Sequence, residues 1–348
     1  MSDRLHKVGI VGCGWFAPFH LAALDGLRNR ATIVWAADPD RKRATEVAIQ
    51  AKAKALTDYR QGLHEVEAVL ILVPHYLHHP ITMDCLSAGK HVLLEKPLAL
   101  NLAESDDMIE AAEKEKRILM VAYPHRYRQS MQRFKKAVVG GEYGRLIMLD
   151  ALMDEKNQEY ISGWIAHKEQ VGGGVFFSAS PHMLDVMLWV AGPARCASMV
   201  GTRGLCKMEG EDTACSIIKF ESGAIGVTRH TWSSPKSTIW YSMHAICERA
   251  HITLTTTPKG DLITEGHRCL WETKVVVDGE ETGKAVLHES DEGLDLRPEV
   301  SHFLDCIETG QTPQTDGRSA RNIIALVTQA YGEADERGAN MEPIPVTS

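Results

Sequence analysis

The stretch Lys7-Val8-Gly9-Ile10-Val11-Gly12-Cys13-Gly14-Trp15-Phe16-Ala17 decides the fold. An apolar run stops at Gly12, and a helical segment begins within a few residues. In this G-x-G-x-x-A arrangement Gly12 makes the tight turn and Gly14 lets a pyrophosphate approach the backbone. Ala17 packs the new helix on the sheet, and the helix N-terminus attracts phosphates. Cys13, Trp15 and Phe16 belong to the same cofactor-lining turn. A glycine turn by itself also occurs in unrelated α/β proteins. Here Asp38 closes the second apolar run twenty-four residues after Gly14, where a carboxylate accepts hydrogen bonds from the adenosine ribose and repels a 2'-phosphate. That predicts NAD. Arg41, Lys42 and Arg43, which open the next helix, are the residues that would favour NADP.

Outward from this turn, short β-rich runs alternate with helical segments through Ala68–Val73, Pro80–Ala88, His91–Leu94, Ala103–Glu115 and Ile118–Ala122. Such alternation specifies a doubly wound parallel sheet. Ligands in these sheets bind beyond the carboxyl ends of the strands. Two segments end there. Val73-Pro74-His75-Tyr76-Leu77-His78-His79-Pro80 reads as a cofactor-lining loop; its histidines lack the spacing of a helical metal pair and no carboxylate-rich segment stands nearby, so no metal is expected. Lys90-His91-Val92-Leu93-Leu94-Glu95-Lys96-Pro97 ends a strand by presenting Lys96 between a carboxylate and a proline, a cation aimed at the cofactor edge.

Past Gly144 the texture changes to alternating polar and apolar residues, as in Leu146–Glu155, Thr213–Phe220, Ala224–Trp232 and Ser237–Ala245. These read as antiparallel strands of one broad, half-buried sheet, covered on one face by helices at Pro181–Val190, Leu296–Thr309 and Ser319–Arg337. The boundary falls near Pro124, giving a dinucleotide-binding domain over 1–124 and a second domain over 125–348. Within the second, Gly172-Gly173-Gly174-Val175-Phe176-Phe177-Ser178-Ala179-Ser180-Pro181-His182-Met183-Leu184-Asp185 stands out. The glycines permit a close backbone approach, and Ser178, His182 and Asp185 would share one side of a helix start. A histidine there could take a hydroxyl proton near neutral pH.

With 348 residues, 44% hydrophobic and 24% charged, the chain is long enough for two cores, and a net charge of -8 with scattered Lys and Arg offers no basic face to nucleic acid. Eight cysteines lie far apart without a C-x-x-C pair, which favours reduced thiols. The apolar runs are strand-sized, so neither a membrane span nor a signal helix is expected, and the reading is cytoplasmic.

Taken together, GCGWFA, VPHYLHH, GKHVLLEKPLAL, GGGVFFSASPHMLD and EDTACSIIKFESGAIG resemble the Gfo/Idh/MocA oxidoreductases, a family that includes inositol dehydrogenases and sugar 3-dehydrogenases. The resemblance runs from about Lys7 to about Trp232. It implies an N-terminal Rossmann domain and a C-terminal α/β domain whose open sheet makes the contact of a homo-oligomer, a dimer or tetramer. By the same resemblance Lys96 is the active-site lysine, followed by a proline often in cis, and His182 is the catalytic histidine. Gly12, Gly14, Asp38, Pro74, His78 and Glu95 match cofactor-lining positions, Arg126 an arginine near nicotinamide or substrate, and Trp164 the tryptophan of a tryptophan-arginine pair. The chain departs from the pattern at Ser178, where inositol dehydrogenases carry an aspartate, at Ile165 in place of the paired arginine, and at His75 in place of asparagine. The expected activity is reversible NAD-linked oxidation of a secondary hydroxyl of a sugar, glycoside or cyclitol. The alternatives are an enzyme that recycles its NAD while cleaving a glycoside by oxidation, elimination and re-reduction, and a non-catalytic NAD-binding regulator.

Overall fold

Residues 5–237, 239–259, 270–281 and 283–336 are described by this computed structural model. Contacts divide the chain into two compact units, one running to Pro124 and including Asp295–Ile324, the other His125–Leu294 with the chain from Ala325 onward. The chain therefore differs from a contiguous division at Pro124, because a returning segment joins the first unit. Its helix, Arg297–Thr309, buries Val300, Phe303 and Leu304. Arg30 fastens it, donating to Ser301 Oγ at 2.9 Å and pairing with Glu308 at 2.9 Å.

The first unit holds six strands: β1 (His6–Val11), β2 (Ala31–Ala37), β3 (Lys54–Leu56), β4 (Ala68–Ile71), β5 (His91–Glu95) and β6 (Leu119–Ala122). All pair in parallel in the order β3-β2-β1-β4-β5-β6. Every residue of β4 and β6 is buried, as expected of parallel strands covered on both faces. Helices α1 (Ala17–Asp25), α2 (Arg41–Ala51), α3 (His78–Ser87) and α4 (Leu102–Glu115) supply the crossovers. The order reverses between β1 and β4, so the crevice at their carboxyl ends is the switch point where such sheets bind ligands. A register shift between Val8 and Gly9 has a visible cause: the buried Trp35 ring lies where a side chain at Gly9 would go, a Cβ there meeting it at 2.2 Å.

The second unit is built on an eight-stranded sheet of β7 (Leu146–Asp154), β8 (Ala194–Thr202), β9 (Thr213–Phe220), β10 (Ile225–Thr231), β11 (Tyr241–Cys247), β12 (Ala250–Pro258), β13 (Trp271–Gly279) and β14 (Gly283–Glu292). Its order is β14-β13-β12-β11-β7-β10-β9-β8. Strict alternation of burial along β9 and β11 shows one face covered and one face open. The sheet is mostly antiparallel, as expected; the exception is at the centre, where β7 and β10 run parallel. The chain leaves β7 on a long excursion through helices and two further strands, so β10 returns by a crossover rather than a hairpin. Helix α5 (Gln129–Val139) packs over β12 to β14, and α8 (Pro181–Ala191) packs over β7. The expected cover from Leu296–Thr309 is likewise corrected, since that segment joins the first unit. The long C-terminal helix α10, after the Arg297–Thr309 helix α9, spans Gly317–Glu336, and the division between units falls inside it. Arg337, the expected end of this helix, lies outside the described residues.

Between α6 (Lys168–Val171) and α8, the short helix α7 (Val175–Ser178) stops before Pro181. The helical path bends by 47° between Lys168–Ser178 and Pro181–Ala191. Proline at N1 has no N–H to continue the ladder, so it starts a new helix instead of extending the old one. Ser178 therefore does not share a helix with His182 and Asp185, which corrects the expected spacing.

Candidate active site

In the first unit, the glycine turn and Asp38 come together as expected from the sequence. Gly12 has φ +94°, and a Cβ there would meet the Leu72 carbonyl oxygen at 2.4 Å, so only glycine fits between the ends of β1 and β4. Gly14 differs: a Cβ there would meet nothing within 4 Å. Asp38 Oδ2 accepts from Cys13 N at 2.9 Å and Oδ1 from Asp40 N at 2.9 Å, fixing the carboxylate beside the turn. Burial and the neighbouring Asp38 push the Cys13 thiol up to about 12, so it stays protonated. Trp15 is exposed and Phe16 half-buried, while α1 starts without a side-chain cap. Open space at Gly14, uncapped amides and an aimed carboxylate fit a dinucleotide. Gly12, Gly14, Asp38 and the first turn of α1 would hold its pyrophosphate and ribose.

The loops after β4 and β5 flank this turn. Val73 and Pro74 are half-buried, and His75 is buried with its ring 5.5 Å from that of His78. Lys96 is half-buried and joined to Pro97 by a cis peptide bond. Glu95 is occupied by the protein itself: Oε1 pairs with His20 Nε2 of α1 at 2.9 Å, and Oε2 accepts from Lys96 N at 3.2 Å. His78 is fully buried, with Nδ1 2.6 Å from the Pro97 carbonyl oxygen and Nε2 3.0 Å from the Val73 carbonyl oxygen. Both residues therefore support the turns that were expected to line the cofactor.

In the second unit, the three glycines do not open onto a ligand but onto the protein. A Cβ on Gly174 would meet the Glu211 carbonyl oxygen at 2.0 Å, and one on Gly173 the Tyr331 hydroxyl at 2.4 Å. Glu211, fully buried, accepts from Phe176 N at 3.0 Å and from Tyr331 Oη at 2.6 Å, and burial pushes its carboxyl up. This bracket fixes the segment leading to His182.

His182 is half-buried at the start of α8, and its ring stands edge-on to His125 at 5.3 Å. His125 in turn meets Tyr241 edge-on at 4.7 Å. Burial, with Arg128 adding to it, pushes His125 well below the usual histidine range. His230, bonded to Ser180 Oγ, is pushed down to about 3 by burial. Both are neutral at neutral pH, so His125, edge-on to His182, brings no positive charge to it. Arg126 reaches Asp185 in a bidentate pair, Nε at 2.8 Å and Nη2 at 2.6 Å. Burial raises the Asp185 carboxyl and Arg126 pulls it back down. Asp185 is fully buried, so the expected substrate contact becomes support for Arg126, itself 7% exposed. Ser178 is buried, and Trp164 is half-buried in the turn Gly163–Ala166. Among the described residues no group of three or more His, Cys, Asp or Glu side chains is arranged to hold a metal ion, and the seven described cysteines are free thiols.

Sequence reasoning overlooked His20, His125, His230, Glu211 and Tyr331. His20 carries the one available signal, a histidine on the otherwise apolar face of α1; the others are brought in by long-range packing.

A profile of an oxidoreductase family with an NAD-binding Rossmann fold matches residues 6–123, and the GFO/IDH/MocA C-terminal domain matches 131–253. The chain is 28% identical over 234 residues to a myo-inositol 2-dehydrogenase of Thermotoga maritima, covering 64% of this chain and 67% of that one. A 1,5-anhydro-D-fructose reductase of Ensifer adhaerens is 27% identical over 58% of this chain and 61% of its own length. A D-glucoside 3-dehydrogenase of Escherichia coli is 26% identical over 65% and 70% respectively. These alignments thus span 61% to 70% of the curated relatives' own length. Among solved structures, a levoglucosan dehydrogenase in complex with NADH and levoglucosan superposes with a TM-score of 0.82 at 18% identity, covering 96% of this chain and 98% of that one. A Bordetella pertussis dehydrogenase in complex with NADH and UDP-GlcNAcA gives 0.79 at 22% identity, covering 99% and 100%. At these identities the likeness establishes the fold.

Proposed function

Because the chain belongs to the GFO/IDH/MocA oxidoreductases, whose N-terminal domain is an NAD-binding Rossmann fold, we propose that it is an NAD-dependent dehydrogenase oxidising a secondary hydroxyl of a sugar, glycoside or cyclitol. The observation that carries the reading is the cation Lys96 at the carboxyl end of β5, on the same sheet edge as the glycine turn and the braced Asp38. The relatives named for inositol and glucoside oxidation support the substrate class.

In this reading the nicotinamide, when bound, accepts the hydride. Lys96 holds the reacting oxygen by a charge-assisted hydrogen bond and favours developing alkoxide. His182, beside a neutral His125, takes the hydroxyl proton. Asp38 selects NAD over NADP through the ribose hydroxyls. Arg126, neutralised by Asp185, offers directed donors without adding net charge near His182. The outward face of the second unit's sheet carries the exposed Val200, Ile217 and Ile225, an apolar patch suited to a second copy.

The test is NADH formation on a panel of inositols, free hexoses and glycosides. With a substrate in hand, Lys96→Ala should lower kcat by about 10²–10³-fold, and His182→Ala by about 10²–10⁴-fold. Unchanged turnover in both variants would refute the assignment. Released aglycone without net NADH would instead identify the recycling reaction.

A further inference from the structure

We propose that His78 is a positioning residue: by holding the Pro97 carbonyl it fixes the backbone from which the Lys96 side chain departs. The proposal rests on the reading in which Lys96 holds the reacting oxygen.

The imidazole is fully buried at the first turn of α3, and both ring nitrogens are engaged by the main chain, Nδ1 with Pro97 O at 2.6 Å and Nε2 with Val73 O at 3.0 Å. The ring thus ties the loop after β4 to the residue after Lys96. Together with Glu95 Oε2, which accepts from Lys96 N at 3.2 Å, it gives the lysine a main-chain anchor on each side. Glu95 is itself held by His20 at 2.9 Å. A side chain buried to this degree and turned onto two carbonyls is committed to the protein, so its contribution reaches the chemistry through Lys96.

Carbonyls only accept, and a neutral imidazole has a single N–H, so serving both carbonyls requires the doubly protonated ring. Burial works most strongly against that charge and Lys96 opposes it too, so the ring is held below the usual histidine range although the two carbonyls and Glu95 favour its charged form. His75, whose ring lies 5.5 Å away, is the other titratable neighbour packed against it. When the ring holds one proton, the shorter contact, to Pro97, is the one expected to keep it.

Two substitutions separate the two bonds. Asparagine places an amide nitrogen near the position of Nδ1 and glutamine near that of Nε2, so His78→Asn can keep the Pro97 contact and His78→Gln the Val73 contact. With saturating NAD, His78→Asn should hold kcat within about 3-fold of the wild type while His78→Gln lowers it about 30-fold or more, the scale of loss from small misplacement of a reacting group. The NAD dissociation constant, read by tryptophan fluorescence, should be unchanged in both. In a Lys96→Ala background, His78→Gln should add no further loss, because the two act as one unit. In the wild type, ¹⁵N NMR of the His78 ring should show a protonated Nδ1 from about pH 6 to 9.

Equal losses in the two variants would overturn the proposal. So would a weakened NAD constant with kcat intact, losses that multiply in the double variant, or an unprotonated Nδ1. If Lys96→Ala keeps wild-type turnover, the reading of Lys96 fails. If Lys96→Ala loses turnover while a folded His78→Gln keeps it, only the positioning role fails.

Discussion

A buried charge at a single residue is decided by what faces it. Arg126 and Asp185 make two hydrogen bonds to one another inside the second unit, so removing either charge strands the other. Asp185→Asn should therefore cost about 3–5 kcal/mol in unfolding free energy, the usual penalty for an uncompensated buried partner. Denaturant titration reads this directly; a loss under about 1 kcal/mol would mean the pair is not a structural anchor. Asp38 is a contrasting case, since its oxygens bond backbone amides and its proposed role is selection. Asp38→Ala should raise the use of NADP relative to NAD, measured as the ratio of the two kcat/KM values, and an unchanged ratio would contradict it. The place of Lys96 was legible in the sequence because a short apolar run ends just before it, and β5 stops at Glu95. The partners of Asp185 were not, since Arg126 is far from it in the chain and a helical spacing suggested His182 as the neighbour.

At the level of elements, the turn between β1 and α1 separates two kinds of glycine that look alike in sequence. Gly12 meets the Leu72 carbonyl and sits at φ +94°, whereas Gly14 faces open space. Gly12→Ala should therefore destabilise the fold by about 1–3 kcal/mol or more, the cost of a strained backbone for a residue with a Cβ. Gly14→Ala should leave the melting temperature unchanged and weaken NAD binding by about 10-fold or more, because its Cβ projects where the pyrophosphate is expected. Calorimetry and NAD titration on both variants check this; the reverse pattern would contradict it. Strand and helix alternation made this region readable because each run stands alone in the pattern. The close approach expected around Gly172 is present, but a glycine does not say what approaches it, and here it is Glu211 and Tyr331. Pro181 in that segment did signal a helix start, and it also ended the one before, which the i, i+4 reading of Ser178 ignored.

For the whole molecule, buried histidines set the acid limit. His125 and His230 titrate below their ordinary value in the fold, His230 at about 3 against 6.5. The unfolded chain thus binds protons that the native chain refuses. The stability they contribute is complete above pH 6.5 and is lost as pH falls from 6.5 toward 3. Each histidine should remove about 2 kcal/mol between its unfolded pKa and pH ~5, at about 1.4 kcal/mol per pH unit. Urea unfolding across this range should show the decline, and a flat profile would contradict it. Among the described residues no single helix is long and apolar enough to cross a membrane. The open sheet face gives a second whole-molecule prediction. Ile217, 63% exposed, should be needed for self-association, so Ile217→Glu should shift light-scattering mass toward the monomer. An unchanged mass would move the contact elsewhere. Both sheets were legible from periodicity, while the return of Asp295–Ile324 to the first unit was not, because an amphipathic helix shows that it packs without showing against which sheet.

The central claim is that a hydride leaves a secondary carbinol carbon for NAD. A turned-over polyol or glycoside carrying deuterium at the oxidised carbon tests it most directly, with the reduced cofactor examined by mass spectrometry. The account predicts one deuterium in the NADH for each ketone formed, and formation slowed by about 10²–10³-fold with Lys96→Ala. Unlabelled NADH, or label returned to a cleaved product with no net NADH, would contradict it.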